Sequence, residues 1–501
     1  MFKDQTGMFL NILKWFILST IIGIIVGIAD ALFLTLLDAS TASVSRVPLY
    51  FVGLPLVLWV TSLLARKVAA KHTDFSTDAA INKINAHKPV SLISTLKAFF
   101  LPIITITGGG SAGKEAPCAD VGAGLASMLA AGLRLNAEDR RKLMICGVSA
   151  GFAGVFGVPI SGAIFGLEVL WVGYIFYEVM FPAFVAGITA YQVTSYLGVE
   201  YVYHPITVIP VFTEGFFLKV LFAGIFFGLM SLLFIELMKF FRTVFRFISF
   251  KFSMFWRAFS GGVILVLIGL LVSPEYLGLG MDTTNDILHG AEPTFAMGSL
   301  FKMLTTAITF SAGGVGGIVT PIFFIGSQAG AVLSAFLEVD PRTMAALGVV
   351  AVLAGTTNAP LAASIMAIEL FGPQIAPYAA VCCVISFLMT GQRSIFIKQK
   401  VSFSKNMDAN PAELTKARHS MPVTRGSLIK LARHLIPQEE KPGKKKKTKV
   451  AHQQSQKPNI TPQEVQEPVD RSPFAVFKHL FPNFREKEDN NKNNTNKNNP
   501  G

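Results

Sequence analysis

Two glycine-rich breaks in apolar sequence, set one constant interval apart, constrain this chain more than any other feature. The first, Gly108-Gly-Gly-Ser-Ala-Gly113-Lys114-Glu115-Ala116-Pro117, lies between the apolar runs Phe99 to Thr107 and Val121 to Leu133. The second, Gly316-Gly317-Ile318-Val319-Thr320-Pro321, has the same form and the same kind of flanks. Gly113 and Gly317, Pro117 and Pro321, and Gly122 and Gly326 are each 204 residues apart. Pro159 to Glu168 echoes Pro360 to Glu369, each running nine residues from Pro to Glu. This is an internal repeat, the mark of many transporters. In such folds, broken helices from both halves aim their N-termini at an anion near the bilayer midplane.

The chemistry of the first break agrees. Glycine lets the backbone turn sharply and approach a ligand closely. Pro117 suits the first turn of a helix, where its missing N–H costs nothing. Lys114 and Glu115 therefore stand where a helix begins, and a helix N-terminus attracts anions through unpaired N–H groups and its dipole. Glu115 is itself an anion, able to occupy that site or to yield it. Taken alone, the stretch also fits a plain glycine-rich helix break. A nucleotide-binding loop fits worse. Gly108-x4-Gly113-Lys114 matches its opening, but Glu115 stands where a Ser or Thr would hold the metal.

Composition sets the environment. The chain is 51% apolar and 15% charged, with 43 phenylalanines, which describes a polytopic membrane protein. The first apolar segment, Trp15 to Leu37, contains Asp30 and is followed by no small-residue cleavage site, so it reads as a retained helix rather than a signal peptide. Cys118, Cys146, Cys382 and Cys383 all fall in apolar segments. No His or Cys cluster has metal-ligand spacing, and neither metal nor cofactor is expected. A scaffold without transport is disfavoured, because charges at a midplane helix break are costly and usually functional.

Along the chain, residues 9 to 65 read as two apolar spans parted by a polar turn near Asp38 to Arg46. Residues 66 to 93 form a basic connection, and Lys239 to Arg257 a second one after the long apolar helix 215 to 238. The excess of Lys and Arg places both in the cytoplasm. Residues 201 to 214 are a polar, proline-containing link, expected to be exposed. The repeats span about 9 to 200 and 215 to 400, within a transmembrane domain of residues 1 to 400. Residues 401 to 501 are a basic, low-complexity tail, with consecutive lysines at 444 to 447 and a run of nearly all Asn and Lys from 490 to 499. That composition predicts disorder. Of the net charge of +13, the tail carries +9, which suits anionic lipid on the cytoplasmic side of a plasma or inner membrane. Nucleic acid is not expected, since the tail lacks interleaved aromatics and any recognisable binding motif. Phe474 to Phe484 is an apolar patch that suits a surface helix.

Gly113-Lys114-Glu115-Ala116-Pro117 resembles the G-K/R-E-G-P motif of the CLC chloride channels and chloride/proton antiporters. Gly317-Ile318-Val319-Thr320-Pro321 is similar to that family's G-x-F-x-P. The resemblance covers roughly residues 10 to 400 and implies an all-α polytopic membrane protein: an inverted repeat of broken, tilted helices with an anion site at the midplane. It also implies a homodimer with one pore per subunit. It makes Glu115 the gate and places anion-binding positions at Gly113, Lys114, Ala116, Gly317, Ile318 and Val319.

The resemblance has departures. An ungapped alignment puts Asp74 on the family's chloride-binding serine and Asp78 on its glutamate. Two readings of Asp74 stand side by side, a pore-lining carboxylate and an ordinary loop or N-cap carboxylate. Phe396 falls where the family has a chloride-binding tyrosine, and it has no hydroxyl to donate. Val169 occupies the position of the antiporters' proton-carrying glutamate, and a valine cannot ferry a proton. Glu168 and Glu369 are expected to be structural, capping nearby backbone or pairing with polar groups. The tail is too polar to bury the paired nucleotide-binding CBS domains that many family members carry. The leading expectation is a chloride channel and no enzyme. The alternative is a proton-coupled antiporter of chloride or fluoride.

Overall fold

In the computed structural model, the described residues are 2–66, 77–206, 213–251, 253–293, 295–401 and 405. Asp74, the tail beyond residue 405 and the Phe474 to Phe484 patch lie outside them.

Almost everything described is helix. The first half comprises α1 (Phe2–Val44), α2 (Leu54–Arg66), α3 (Thr77–Asn85), α4 (Leu92–Thr107), α5 (Glu115–Gly132), α6 (Ala137–Phe156), α7 (Pro159–Glu168) and α8 (Tyr177–Tyr196). The second comprises α9 (Glu214–Lys251), α10 (Met254–Leu271), α11 (Met281–Leu288), α12 (Gly298–Ala312), α13 (Val319–Leu337), α14 (Pro341–Thr357), α15 (Pro360–Phe371) and α16 (Ala376–Met389). Two short strands, β1 (Trp171–Val172) and β2 (Lys400–Val401), pair in parallel and tie the exit of the second half to the first.

The two halves are built alike. α4 and α12 run into the glycine-rich breaks, and α5 and α13 resume after them with Pro117 and Pro321 in their first turns. α7 and α15 both begin on a proline, which presets the backbone of a first turn. Packing follows the same period. A Cβ on Gly122 of α5 would lie 2.1 Å from the Gly147 carbonyl oxygen of α6, and one on Gly326 of α13 would lie 2.4 Å from that of Gly348 in α14. Each pair of helices thus meets backbone to backbone, as small residues permit between membrane helices.

Among the described residues, four helices are long and apolar enough to cross a membrane: Gln5–Val44, Glu214–Ser249, Met254–Leu271 and Val319–Leu337. Within these, 83% of the α13 window is buried against 28% of the α10 window. So α13 is an inner element and α10 a peripheral one. The ten-residue α7 reaches about 15 Å, roughly half of the hydrocarbon thickness. Such half-spans let helix ends lie at membrane depth.

Three sequence expectations shift. The polar turn expected at 38 to 46 falls later, because α1 runs on to Val44 and the chain turns at Leu49, whose φ is 54°. Thr41 and Ser43 do not break α1, since their hydroxyls donate back to the carbonyls of Leu37 and Ala39. The basic stretch after residue 238 continues as helix to Lys251, in keeping with the good helix propensity of Lys and Arg. The link after residue 200 is partly covered. His204 and Ile206 are buried, and their N–H groups donate to Leu370 and Phe371 at the end of α15.

Candidate functional site

The two breaks meet. The N–H of Gly113 donates to the Gly317 carbonyl at 2.7 Å, and the N–H of Gly317 returns the bond to Gly113 at 2.7 Å. Threonines repeat the exchange one turn away. Thr105 Oγ1 accepts from the Val315 N–H at 3.1 Å, and Thr309 Oγ1 accepts from the Ser111 N–H at 3.1 Å. Thr105 and Thr309 are again 204 residues apart, as are Ser111 and Val315. Each half therefore satisfies backbone donors of the other, which would otherwise be unpaired at membrane depth.

Glu115 sits at this junction, 1% exposed. Its carboxylate does not serve its own helix end alone; it crosses to the other repeat. Oε1 accepts from the Val319 N–H at 2.5 Å, and Oε2 accepts from the Thr320 N–H at 3.3 Å and the Thr320 hydroxyl at 2.9 Å. The first-turn donors of α13 are thus held by a side chain of α5. Ile318, the N-cap residue of α13, makes no side-chain cap, so those donors depend on an anion. Space is close-fitting: a Cβ on Gly317 would lie 2.0 Å from Glu115 Oε1, and one on Gly113 2.3 Å from Oε2. Glycine is required at both positions for the carboxylate to be where it is.

Three successive residues face three compartments. Lys114 lines a cavity of about 750 Å³ together with Glu275, Gly278 and His204. Glu115 is sealed in the junction. Ala116 lines a small cavity of about 30 Å³, shared with Ile318, Phe396, Ile395, Asp78 and Arg242. That volume holds about one water-sized particle. The structure therefore gathers Gly113, Lys114, Ala116, Gly317, Ile318, Val319 and Phe396 around Glu115. Asp78 joins the small cavity, with its Oδ1 accepting from the Lys398 N–H at 3.0 Å.

Val169 lies apart from this group, fully buried, with its carbonyl accepting from Gln399 Nε2 at 2.8 Å. Next to it, Glu168 accepts from the N–H groups of Leu361 and Ala362 at 3.1 and 2.8 Å, capping α15. Glu369 returns the cap to α7, accepting from Ile160 and Ser161 at 2.9 and 2.8 Å. Among the described residues no group of three or more His, Cys, Asp or Glu could hold a metal ion.

The voltage-gated chloride channel family model matches residues 56–391. The chain belongs to the CLC family. Its CLC relatives include a "Chloride/fluoride channel protein" of Pseudomonas syringae pv. tomato, 35% identical over 421 residues, which are 82% of this chain and 92% of that one. A voltage-gated ClC-type chloride channel of Shigella flexneri is 26% identical, over 60% of this chain and 72% of that one. Among solved CLC structures, a CLC-type fluoride/proton antiporter is similar, with TM-score 0.71 and 28% identity, over 78% of this chain and 98% of that one. A slow cyanobacterial chloride/proton antiporter shares the fold at TM-score 0.64 and 18% identity, over 75% of this chain and 94% of that one. This chain is accordingly a helical CLC-type membrane protein, and anion transport is its activity.

Thr105, Thr309 and Thr320 carry the site's hydroxyl chemistry and were not singled out by sequence. The first two follow the repeat interval and were readable from it. Thr320 gave no signal, because a threonine in a helix's first turn is unremarkable.

Proposed function

We propose that anions cross this protein between the large and small cavities by way of the α13 N-terminus, and that the Glu115 carboxylate is the gate. The observation that carries this is the seat itself: Val319 and Thr320 offer three donors, and a carboxylate already holds them. Bonds to a charged acceptor are each worth about 1.5–3 kcal/mol. An anion must displace that carboxylate, or a proton must neutralise it. Gly113, Lys114, Ala116, Gly317, Ile318 and Val319 line the path, and Phe396 narrows its small end. Channel-like flux is the main reading, since Val169 offers no second proton carrier. The tail lies on the cytoplasmic side against anionic lipid, in a plasma or inner membrane. The protein works as a homodimer, as the family resemblance implies, with a path in each copy.

One observation favours a second reading, exchange of the anion for a proton. Anion and deprotonated Glu115 compete for one seat, so each anion that takes it favours a protonated glutamate. The likeness to a fluoride/proton antiporter supports the same reading, and so does a cavity of about 30 Å³, which suits a small anion. Purified protein in sealed liposomes tests both, with chloride and fluoride electrodes and a pH electrode read together. Flux of either anion without proton movement supports the channel. Uphill proton movement driven by an anion gradient supports exchange. Flux that is the same in wild type and Glu115→Gln at every pH overturns the gate.

A further inference from the structure

Lys302 is the largest buried basic side chain that the site does not use. It lies in α12, and its side chain is fully buried. Its Nζ donates to the carbonyl oxygens of Gly278 at 2.9 Å and of Tyr276 and Leu277 at 3.4 Å each. It sits 5.1 Å from the centre of the Phe324 ring of α13. Among the described residues it forms no salt bridge with a carboxylate. Thr305, on the same helix, adds a hydroxyl bond to Tyr276 at 2.8 Å.

Two of those carbonyls belong to residues of the large cavity's rim, Leu277 and Gly278, which line it with Leu279 and Gly280, and Tyr276 directly precedes them. Successive carbonyls converge on one ammonium because the chain curls through Gly278 and Gly280, at φ 55° and 73°. The Gly278 N–H then donates to the Gly109 carbonyl at 3.0 Å, joining the rim to the first break. The charge of the cavity lining makes this arrangement costly to do without. Asp38, Glu200, Glu275 and Asp282 face the cavity and Lys114 opposes them. Burial and the nearby His289 hold the His204 imidazole below its ordinary range, so near pH 7 it adds little positive charge.

We propose that Lys302 is a positioning residue for anion access: it draws the carbonyl oxygens of the rim residues Leu277 and Gly278, and that of Tyr276 beside them, inward, away from the anion's path, and sets its amino group behind the rim. Without it, the negative ends of three peptide dipoles would be released beside a cavity already rich in carboxylates. The ammonium also stands near the seat, since Phe324 follows Thr320 by four residues, about 6 Å along the α13 axis. This rests on the anion path proposed above. The wild-type flux assay tests that path; the sidedness of Lys302 variants tests this inference.

The experiment measures half-saturation for chloride and fluoride from each face separately. Liposomes receive protein carrying Asp282→Cys, and a membrane-impermeant thiol reagent silences the copies whose large cavity faces outward. The native cysteines are all buried, away from the reagent. Lys302→Met is expected to raise half-saturation from the large-cavity face by roughly three- to tenfold, the scale of one unit charge at such a distance, with the other face unchanged. Lys302→Arg is expected to restore most of it. An equal shift on both faces, or none, overturns the proposal and leaves Lys302 a packing residue. Should Lys302→Met fail to fold, amide exchange on the wild type decides: residues 276 to 280 are expected to exchange as slowly as α12. Fast exchange there overturns the clamp.

Discussion

Four helix N-termini meet across the repeat, and they are finished in two different ways. At α7 and α15 the exchange is complete: Glu369 caps one and Glu168 the other, with two N–H bonds each. At α5 and α13 it is half complete. Glu115 caps α13, but the residue 204 positions after it is Val319, which has nothing to return to α5. The complete pair needs no further ligand and holds the halves together. The incomplete pair has one carboxylate for two positive helix ends, and it is there that we propose the mobile anion sits. Broken symmetry, rather than the presence of a glutamate, separates the site from its structural counterpart.

Completing the central pair should have the largest effect. Val319→Glu puts a second carboxylate beside the first, within reach of the α5 N-terminus. Flux is expected to fall by roughly tenfold or more, since charge-assisted bonds of about 1.5–3 kcal/mol then hold both ends closed. Electrode traces from liposomes check this, and unaltered flux would mean the α5 end is not on the path.

Emptying the central pair comes next. Glu115→Gln keeps the shape and removes the charge. Wild-type flux should rise as pH falls, because protonation weakens the carboxylate's hold on Val319 and Thr320. The variant should match the low-pH wild type at every pH, faster by about tenfold at alkaline pH. A pH series on both proteins decides.

Opening the outer pair should act on stability instead. Glu168→Gln or Glu369→Gln leaves one helix end with a weaker cap, at about 1 kcal/mol each. Melting temperature in detergent should drop by a few degrees. The slope of flux against pH should stay as in the wild type. A changed slope would place those glutamates in the transport cycle. Smallest of all, truncation after residue 415 should leave both flux and melting unchanged, and a folded truncation without flux would give the tail a direct part.

Much of this was written in the chain. The interval of 204 residues sets out both halves, and it tells where helices break and where glycines must pack. Glu168 and Glu369, nine residues after their prolines, are readable as caps. What sequence could not supply is which helix a side chain answers to. Glu115 begins α5, so its own N–H groups are its nearest donors in sequence; only the return of the chain brings Val319 and Thr320 to it as well. Lys302 is visible as a lone charge in an apolar helix, a signal of function by itself. Its partners, three carbonyls some two dozen residues earlier, are not. Helix ends were misplaced where polar side chains bond back to their own helix, as Thr41 and Ser43 do.

The crossing of bonds between the halves bears on how the protein is made. Residues up to about 200 reach the bilayer before α9 to α16 exist. During that interval Glu115 has no α13, Glu168 has no α15, and α7 has no Glu369. Each unpaired polar group in hydrocarbon costs several kcal/mol. The newborn first half is therefore a strained insertion intermediate, relieved only when the second half arrives and closes over it. A ribosome that stalls midway leaves a fragment with unmatched polar groups at membrane depth and only one wall of the proposed path.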